Sequence, residues 1–156
     1  MSDLMTQRDL ARRLEQTQVT ERPGGVTGFD TFYQTSTYTP TYFGGTTAGA
    51  TTYSFQQGKW TRIGNLIFVT GAVVWTAATG TGNACIALPV VVAATYYHSG
   101  VARLVDVTFA AGTPTMEIAP ATQHFLLHSP ATNAAGTYVA VEAAGNVIFS
   151  ATYFVA

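Results

Sequence analysis

The sequence predicts a mainly β protein. An antiparallel β-sandwich or jelly-roll-like body spans residues 29–156, after a short N-terminal helical arm and linker at residues 1–28. Three observations predict this. Beyond Gly28, apolar and β-branched runs of strand length alternate with Gly, Pro and Asn punctuation. No helical period of useful length appears in that region. Composition switches at Pro23-Gly24-Gly25, which breaks any helix begun in the arm and reads as a linker.

Taken in order, the arm comes first. Ser2 or Asp3 can cap a helix, and Leu4–Gln16 holds strong helix formers without Gly or Pro. Leu4, Ala11 and Leu14 recur at heptad-like spacing, and Leu10 and Leu14 form an i,i+4 pair. The arm is therefore expected to dock on another protein through Leu4, Leu10 and Leu14, flanked by Arg12 and Arg13; the plainer alternative is a solvated terminal helix. In the body, strands are expected near Thr31–Tyr38, Ala50–Gln56, Lys59–Ile63, Leu66–Ala77, Asn83–Leu88, Val101–Phe109, Thr115–Ile118, His124–His128, Tyr138–Glu142 and Val147–Val155. Turns are expected at Gly44-Gly45, Gln57-Gly58, Gly64-Asn65, Gly80–Asn83, Gly112–Pro114, Asn133–Gly136 and Gly145-Asn146. Many short strands at this spacing argue a sandwich or barrel.

Charge is distributed unevenly. Residues 1–22 carry eight charged side chains, whereas residues 23–156 carry seven: Asp30, Lys59, Arg62, Arg103, Asp106, Glu117 and Glu142. Soluble monomers have about a quarter of their residues charged. So sparse a body must be covered by neighbouring chains or kept soluble by its many hydroxyls. The net charge of −1 gives no reason to expect a nucleic-acid partner. The longest apolar stretches, such as Leu66–Val74 and Ala87–Ala94, fall well short of the roughly 18 residues a membrane span needs. Nothing in the charged N-terminus resembles a secretory signal, so synthesis in the cytoplasm is expected. The lone Cys85 fits as a small buried hydrophobe.

Candidate chemistry is thin. His124 and His128 are four apart, but Phe125-Leu126-Leu127 between them favour a strand. The two imidazoles would then stand about 13 Å apart on one face, too far for one zinc. Asp30, Asp106, Glu117 and Glu142 are the acids available to a glycosidase pair, yet no motif supports one. No Gly-x-Ser-x-Gly elbow occurs, and Gly80-Thr81-Gly82 lacks the lysine of a phosphate loop. No catalytic residue, cofactor or metal is therefore assigned. Tyr96 and Tyr97 lie in a loop-like stretch, where an apolar ring with a polar hydroxyl suits contact with glycan or protein.

The segments Thr37-Tyr38-Thr39-Pro40-Thr41, Gly44-Gly45-Thr46-Thr47, Gly58-Lys59-Trp60-Thr61-Arg62-Ile63-Gly64-Asn65 and Gly80-Thr81-Gly82-Asn83-Ala84-Cys85-Ile86-Ala87-Leu88-Pro89 follow one another in order. Together they resemble a β module of tailed-bacteriophage fibres and other virion proteins. The resemblance covers residues 37 to 89 and implies a virion protein made in the host cytoplasm, not an enzyme. It does not say which part of the virion; the loop-like stretches Tyr96–Gly100 and Pro130–Gly136 favour a tail-associated fibre or receptor-binding protein, expected to be held to other virion proteins by its arm and to face a host surface glycan or protein. A capsid decoration protein that stabilises the shell is the alternative, and a small glycan hydrolase the distant one. The resembling modules are typically trimeric, which implies a homotrimer. Leu66–Ala77 and Val147–Val155 carry apolar residues on both faces, as a subunit interface requires. Phe68 and Trp75 are the residues expected at that interface, with inner-core anchoring the other reading. Lys59, Arg62 and Arg103 are expected nearer its rim.

Overall fold

The structure, a computed structural model, describes residues 32–109, 112–131 and 134–156. The expected helical arm lies outside the described residues, together with Leu4, Leu10, Arg12, Arg13 and Leu14.

The described chain is antiparallel β. Its strands are β1 (Tyr33–Tyr38), β2 (Tyr42–Gly44), β3 (Thr51–Ile63), β4 (Leu66–Ala78), β5 (Ala84–Ala87), β6 (His98–Val105), β7 (Thr115–Ile118), β8 (His124–Ala131), β9 (Ala134–Tyr138) and β10 (Gly145–Phe154). The expected sandwich of two sheets is corrected to one hydrogen-bonded sheet. Its order is β1-β3-β4-β10-β6-β7-β8-β5-β2, with β9 also paired to β8. The sheet curls into a half-barrel around a single core, and alternation along a strand reports one buried face without saying how many sheets share it.

Burial follows strand parity. Along β10, Val147, Phe149, Ala151 and Tyr153 are buried, while Ile148, Ser150, Thr152 and Phe154 are exposed. On β4 the inward set is Ile67, Val69, Val73 and Trp75. Phe125 meets Phe149 across the core at a ring distance of 5.0 Å. Tyr38 packs its ring where a Cβ at Gly58 would lie 2.3 Å from it, and Phe149 does the same over Gly71 at 2.6 Å. Gly58 and Gly71 are register partners, so these glycines admit large rings against the sheet rather than turning the chain. That is why β3 runs unbroken through Gln57-Gly58, where a turn was expected.

Other departures have local causes. Strand β2 departs from the expected strands because it is only three residues long, begins two residues after Pro40 and ends on Gly44, the first residue of an expected turn. β6 begins at His98 and ends before Asp106, whose φ of 57° stops the strand short of Phe109. β9 precedes the expected Tyr138–Glu142 strand and contains the expected turn glycine Gly136. A bulge at Ser54 bends β3.

The half-barrel is fastened where its last strand returns to an early one. Tyr42 on β2 stacks on Trp75 of β4, with ring centroids 3.9 Å apart and planes 17° apart. Trp75 Nε1 donates to the Glu142 carbonyl at 2.9 Å, and the Glu142 amide donates to Tyr42 Oη at 2.9 Å. From β3, Tyr53 Oη and Thr51 Oγ1 both donate to the Tyr42 carbonyl, at 3.0 and 2.9 Å. The Tyr42 amide donates to Tyr53 Oη at 2.8 Å.

One buried hydroxyl breaks this pattern of satisfaction. Tyr38 Oη is buried with no hydrogen-bond partner. Burial drives its pKa far above the ordinary phenol value, with a smaller contribution from Tyr153. Desolvating an unpaired hydroxyl costs about 1–3 kcal/mol. Tyr38→Phe is therefore expected to stabilise the protein by about 1 kcal/mol, read as a higher urea midpoint at unchanged slope. A lower midpoint would show that the hydroxyl has a partner.

Candidate functional site

The core fills the inside of the sheet, and the outer face divides into two regions of different chemistry.

The first region spans β1, β3, β4, β10 and β6. Register places its outward residues in cross-strand rows: Tyr33, Ile63, Leu66 and Phe154; then Thr35, Thr61, Phe68 and Thr152; then Thr37, Lys59, Thr70, Ser150 and Val101. Gln57, Ala72, Ile148 and Arg103 form the next row. This face is made of hydroxyls and exposed apolar side chains. Phe68 is 47% exposed, Val101 64% and Ile148 42%. Its charges are Lys59 and Arg103, flanking the β4–β10 centre, with no carboxylate in these rows. Shallow open grooves meet at Thr70, and one of about 380 Å³ runs from Thr37 and Gln57 to Ile148.

The second region lies on β7, β8 and β9. Glu117 on β7 pairs with Leu126 on β8, and His128 on β8 pairs with Tyr138 on β9. Tyr138 Oη donates to Glu117 Oε1 at 2.9 Å. His128 meets the Tyr138 ring edge-on at 5.5 Å and 71°. A Cβ at Gly136 would lie 2.2 Å from His128 Cε1, so glycine there lets the imidazole lie over β9. The hydrogen bond to Glu117 raises the Tyr138 phenol above its usual pKa, followed by burial and by the charges of Glu117 and Tyr97.

The sequence-derived candidates fall as follows. Phe68 stands on the open face. Trp75 is 1% exposed and belongs to the protomer's own core, which corrects its placement at a subunit interface: its parity opposes that of Phe68, so only one of them can face outward. Arg62 lies on the opposite parity from Lys59, and its Nε donates to the Gly64 carbonyl. Tyr96 and Tyr97 are 59% and 71% exposed in the loop before β6, and Tyr97 precedes Ser99, the register partner of Glu117, by two residues. His124 and His128 share the outer face of one strand, as their spacing indicated. His124 packs edge-on against Phe43 at 5.6 Å, and burial lowers its pKa. Cys85 is buried, and burial pushes its thiol up to about 11, so it is unsuited to nucleophilic work at neutral pH. Among the described residues no group of three His, Cys, Asp or Glu side chains is placed to hold a metal, and no helix is long and apolar enough to cross a membrane.

The motif residues do come together, as a clasp between loops. The amides of Gly45 and Thr46 donate to the carbonyls of Asn83 and Thr81 at 2.8 and 3.0 Å, and the Thr81 amide returns a bond to the Thr47 carbonyl at 2.9 Å. Gly82 and Gly49 adopt positive φ of 87° and 71° beside this contact. Gly44-Gly45-Thr46-Thr47 and Gly80-Thr81-Gly82-Asn83 therefore form a structural element, with no side chain arranged for chemistry.

No known family profile and no curated protein matches this sequence. Among solved structures, it superposes on the crystal structure of the Dettilon tailspike protein (gp208) with a TM-score of 0.63. The fold is similar to part of a tailspike. The match covers 78% of this chain at 17% identity, and spans 24% of the tailspike chain. At that identity the likeness is one of fold.

Proposed function

We propose that this protein is a tail-associated component of a tailed-phage virion that binds the host surface without hydrolysing it. The observation that carries this reading is the fold shared with a tailspike over most of the body. It favours the tail over the capsid shell, the alternative position. In this reading residues 1–28 anchor the protein to the particle, and the Tyr96-Tyr97 end of the body meets the host. The test is competition. Purified protein added to susceptible cells should bind them and slow adsorption of the parent phage; absence of both effects would refute it.

The reading includes a homotrimer, formed through the first outer region. Five strands about 4.8 Å apart and four rows about 6.8 Å apart outline roughly 650 Å². Standard interfaces bury about 800 Å² per partner. Central Phe68 and Ile148, with Lys59 and Arg103 on the flanks, match the usual apolar core and charged margin. Sedimentation should show a species of three 16.5 kDa chains. Phe68→Glu should weaken association about thirtyfold, as loss of a hot-spot aromatic does, without unfolding the protomer. A stable monomer at every concentration would contradict self-association.

Deletion of residues 1–22 should leave a folded body that no longer attaches to particles, measured by co-sedimentation. Polar, charged arms that order on a partner dock in this manner. Full occupancy by the truncated protein would exclude the arm as anchor.

A further inference from the structure

We infer that Tyr138, Glu117, His128 and Tyr97 form a binding site for a neutral sugar unit on the outer face of β7, β8 and β9. The inference rests on the host-binding reading above and names the chemistry of what is bound.

Register carries the geometry. Tyr138 and Glu117 sit on the two strands flanking β8, opposite His128 and Leu126, so their backbones are about 12 Å apart on a diagonal. Their hydrogen bond at 2.9 Å therefore requires the Tyr138 side chain to extend across β8. The ring lies along the sheet instead of rising from it. One ring side faces the strand and the other faces water, in keeping with its 40% exposure. The His128 edge and the Glu117 bond hold it there, and Gly136 makes room for His128. A fixed, flat, partly exposed tyrosine is a stacking platform for the apolar C–H face of a pyranose, at little entropic cost on binding.

The polar side of the site is equally defined. Glu117 Oε1 accepts from Tyr138, which leaves Oε2 to accept from a sugar hydroxyl. Tyr97, 71% exposed and diagonal to Glu117, supplies a second ring at the margin. The described cations are Lys59, Arg62 and Arg103, and they lie on β3 and β6. None lies on the strands of this site. A carboxylate without a cation disfavours uronic, sialic or phosphorylated sugars by like-charge repulsion, and favours neutral ones.

Saturation-transfer NMR on the full chain tests the inference, with lactose, maltose and cellobiose as neutral probes and sialyllactose as the acidic one. At least one neutral probe should give transfer. Tyr138→Ala should weaken its binding about tenfold, as loss of a stacking partner does. Glu117→Gln should weaken it by a similar factor, and Tyr138→Phe by less because the ring remains. Unfolding midpoints close to the parent's would confirm that the variants are folded. No transfer from any neutral probe, preference for sialyllactose, or binding indifferent to both Tyr138→Ala and Glu117→Gln would overturn the site. Cell binding by the parent that Tyr138→Ala leaves intact would overturn the site alone; absence of cell binding by the parent would overturn the host-binding reading beneath it.

Discussion

Trp75→Ala is expected to destabilise the protein by about 4 kcal/mol, a large share of the stability of a domain this size. The indole is 1% exposed, stacks on Tyr42 at 3.9 Å, and donates to the Glu142 carbonyl. Truncation opens a cavity and leaves that carbonyl unpaired. It also removes the contact that draws β2, the last strand of the sheet order, back against β4. Trp75→Phe separates these effects. It keeps an aromatic against Tyr42 and loses the hydrogen bond, so about 2 kcal/mol should be lost. Urea unfolding followed by circular dichroism measures both. A loss below about 1 kcal/mol for Trp75→Ala would mean that the sheet closes without this contact.

Gly44→Ala should cost about 3 kcal/mol or more, through overpacking instead of a cavity. Its Cβ would lie 2.4 Å from the carbonyl oxygens of Thr47 and Thr81 and 2.5 Å from the Thr81 amide nitrogen. All three are backbone atoms fixed by the loop clasp, so no side chain can swing away. Gly45→Ala is the control. Its Cβ would meet the Asn83 carbonyl at 3.3 Å and Cys85 Sγ at 3.4 Å, which a small shift relieves, and it should cost under about 1 kcal/mol. Equal tolerance at the two positions would deny the clasp its structural role.

The contrast between neighbouring glycines shows what could be read from sequence. Strands β4, β7 and β10 were legible because their apolar runs are bounded by turn residues or chain polarity. Glycine was ambiguous: Gly64 does turn the chain, with φ of 62°, whereas Gly58 sits inside a strand to admit Tyr38. Composition cannot separate those uses, because the deciding contact is far away in sequence. The same holds for Trp75 and Phe68. Their opposite parity on β4 says that one faces inward, and contacts remote in sequence, with Tyr42 and Glu142, accompany the burial of Trp75.

The candidate site was less legible than the fold. In the sequence Tyr97 has loop-like surroundings, whereas Glu117 is one of few acids and His128 pairs by spacing only with His124. Their meeting with Tyr138 depends on β9 folding back beside β8 and on register placing Tyr138 opposite His128. No spacing within the sequence expresses that contact. The local signal available was Gly136, two residues before Tyr138, which was read as a turn.

Imaging of phage particles that carry a label at the C-terminus of this chain distinguishes a tail position from a shell position. Label at the tail, clustered in threes and lost when residues 1–22 are removed, is the predicted result. Label spread over the capsid shell would contradict a tail-associated role and make the outer sheet face a surface for binding capsid subunits.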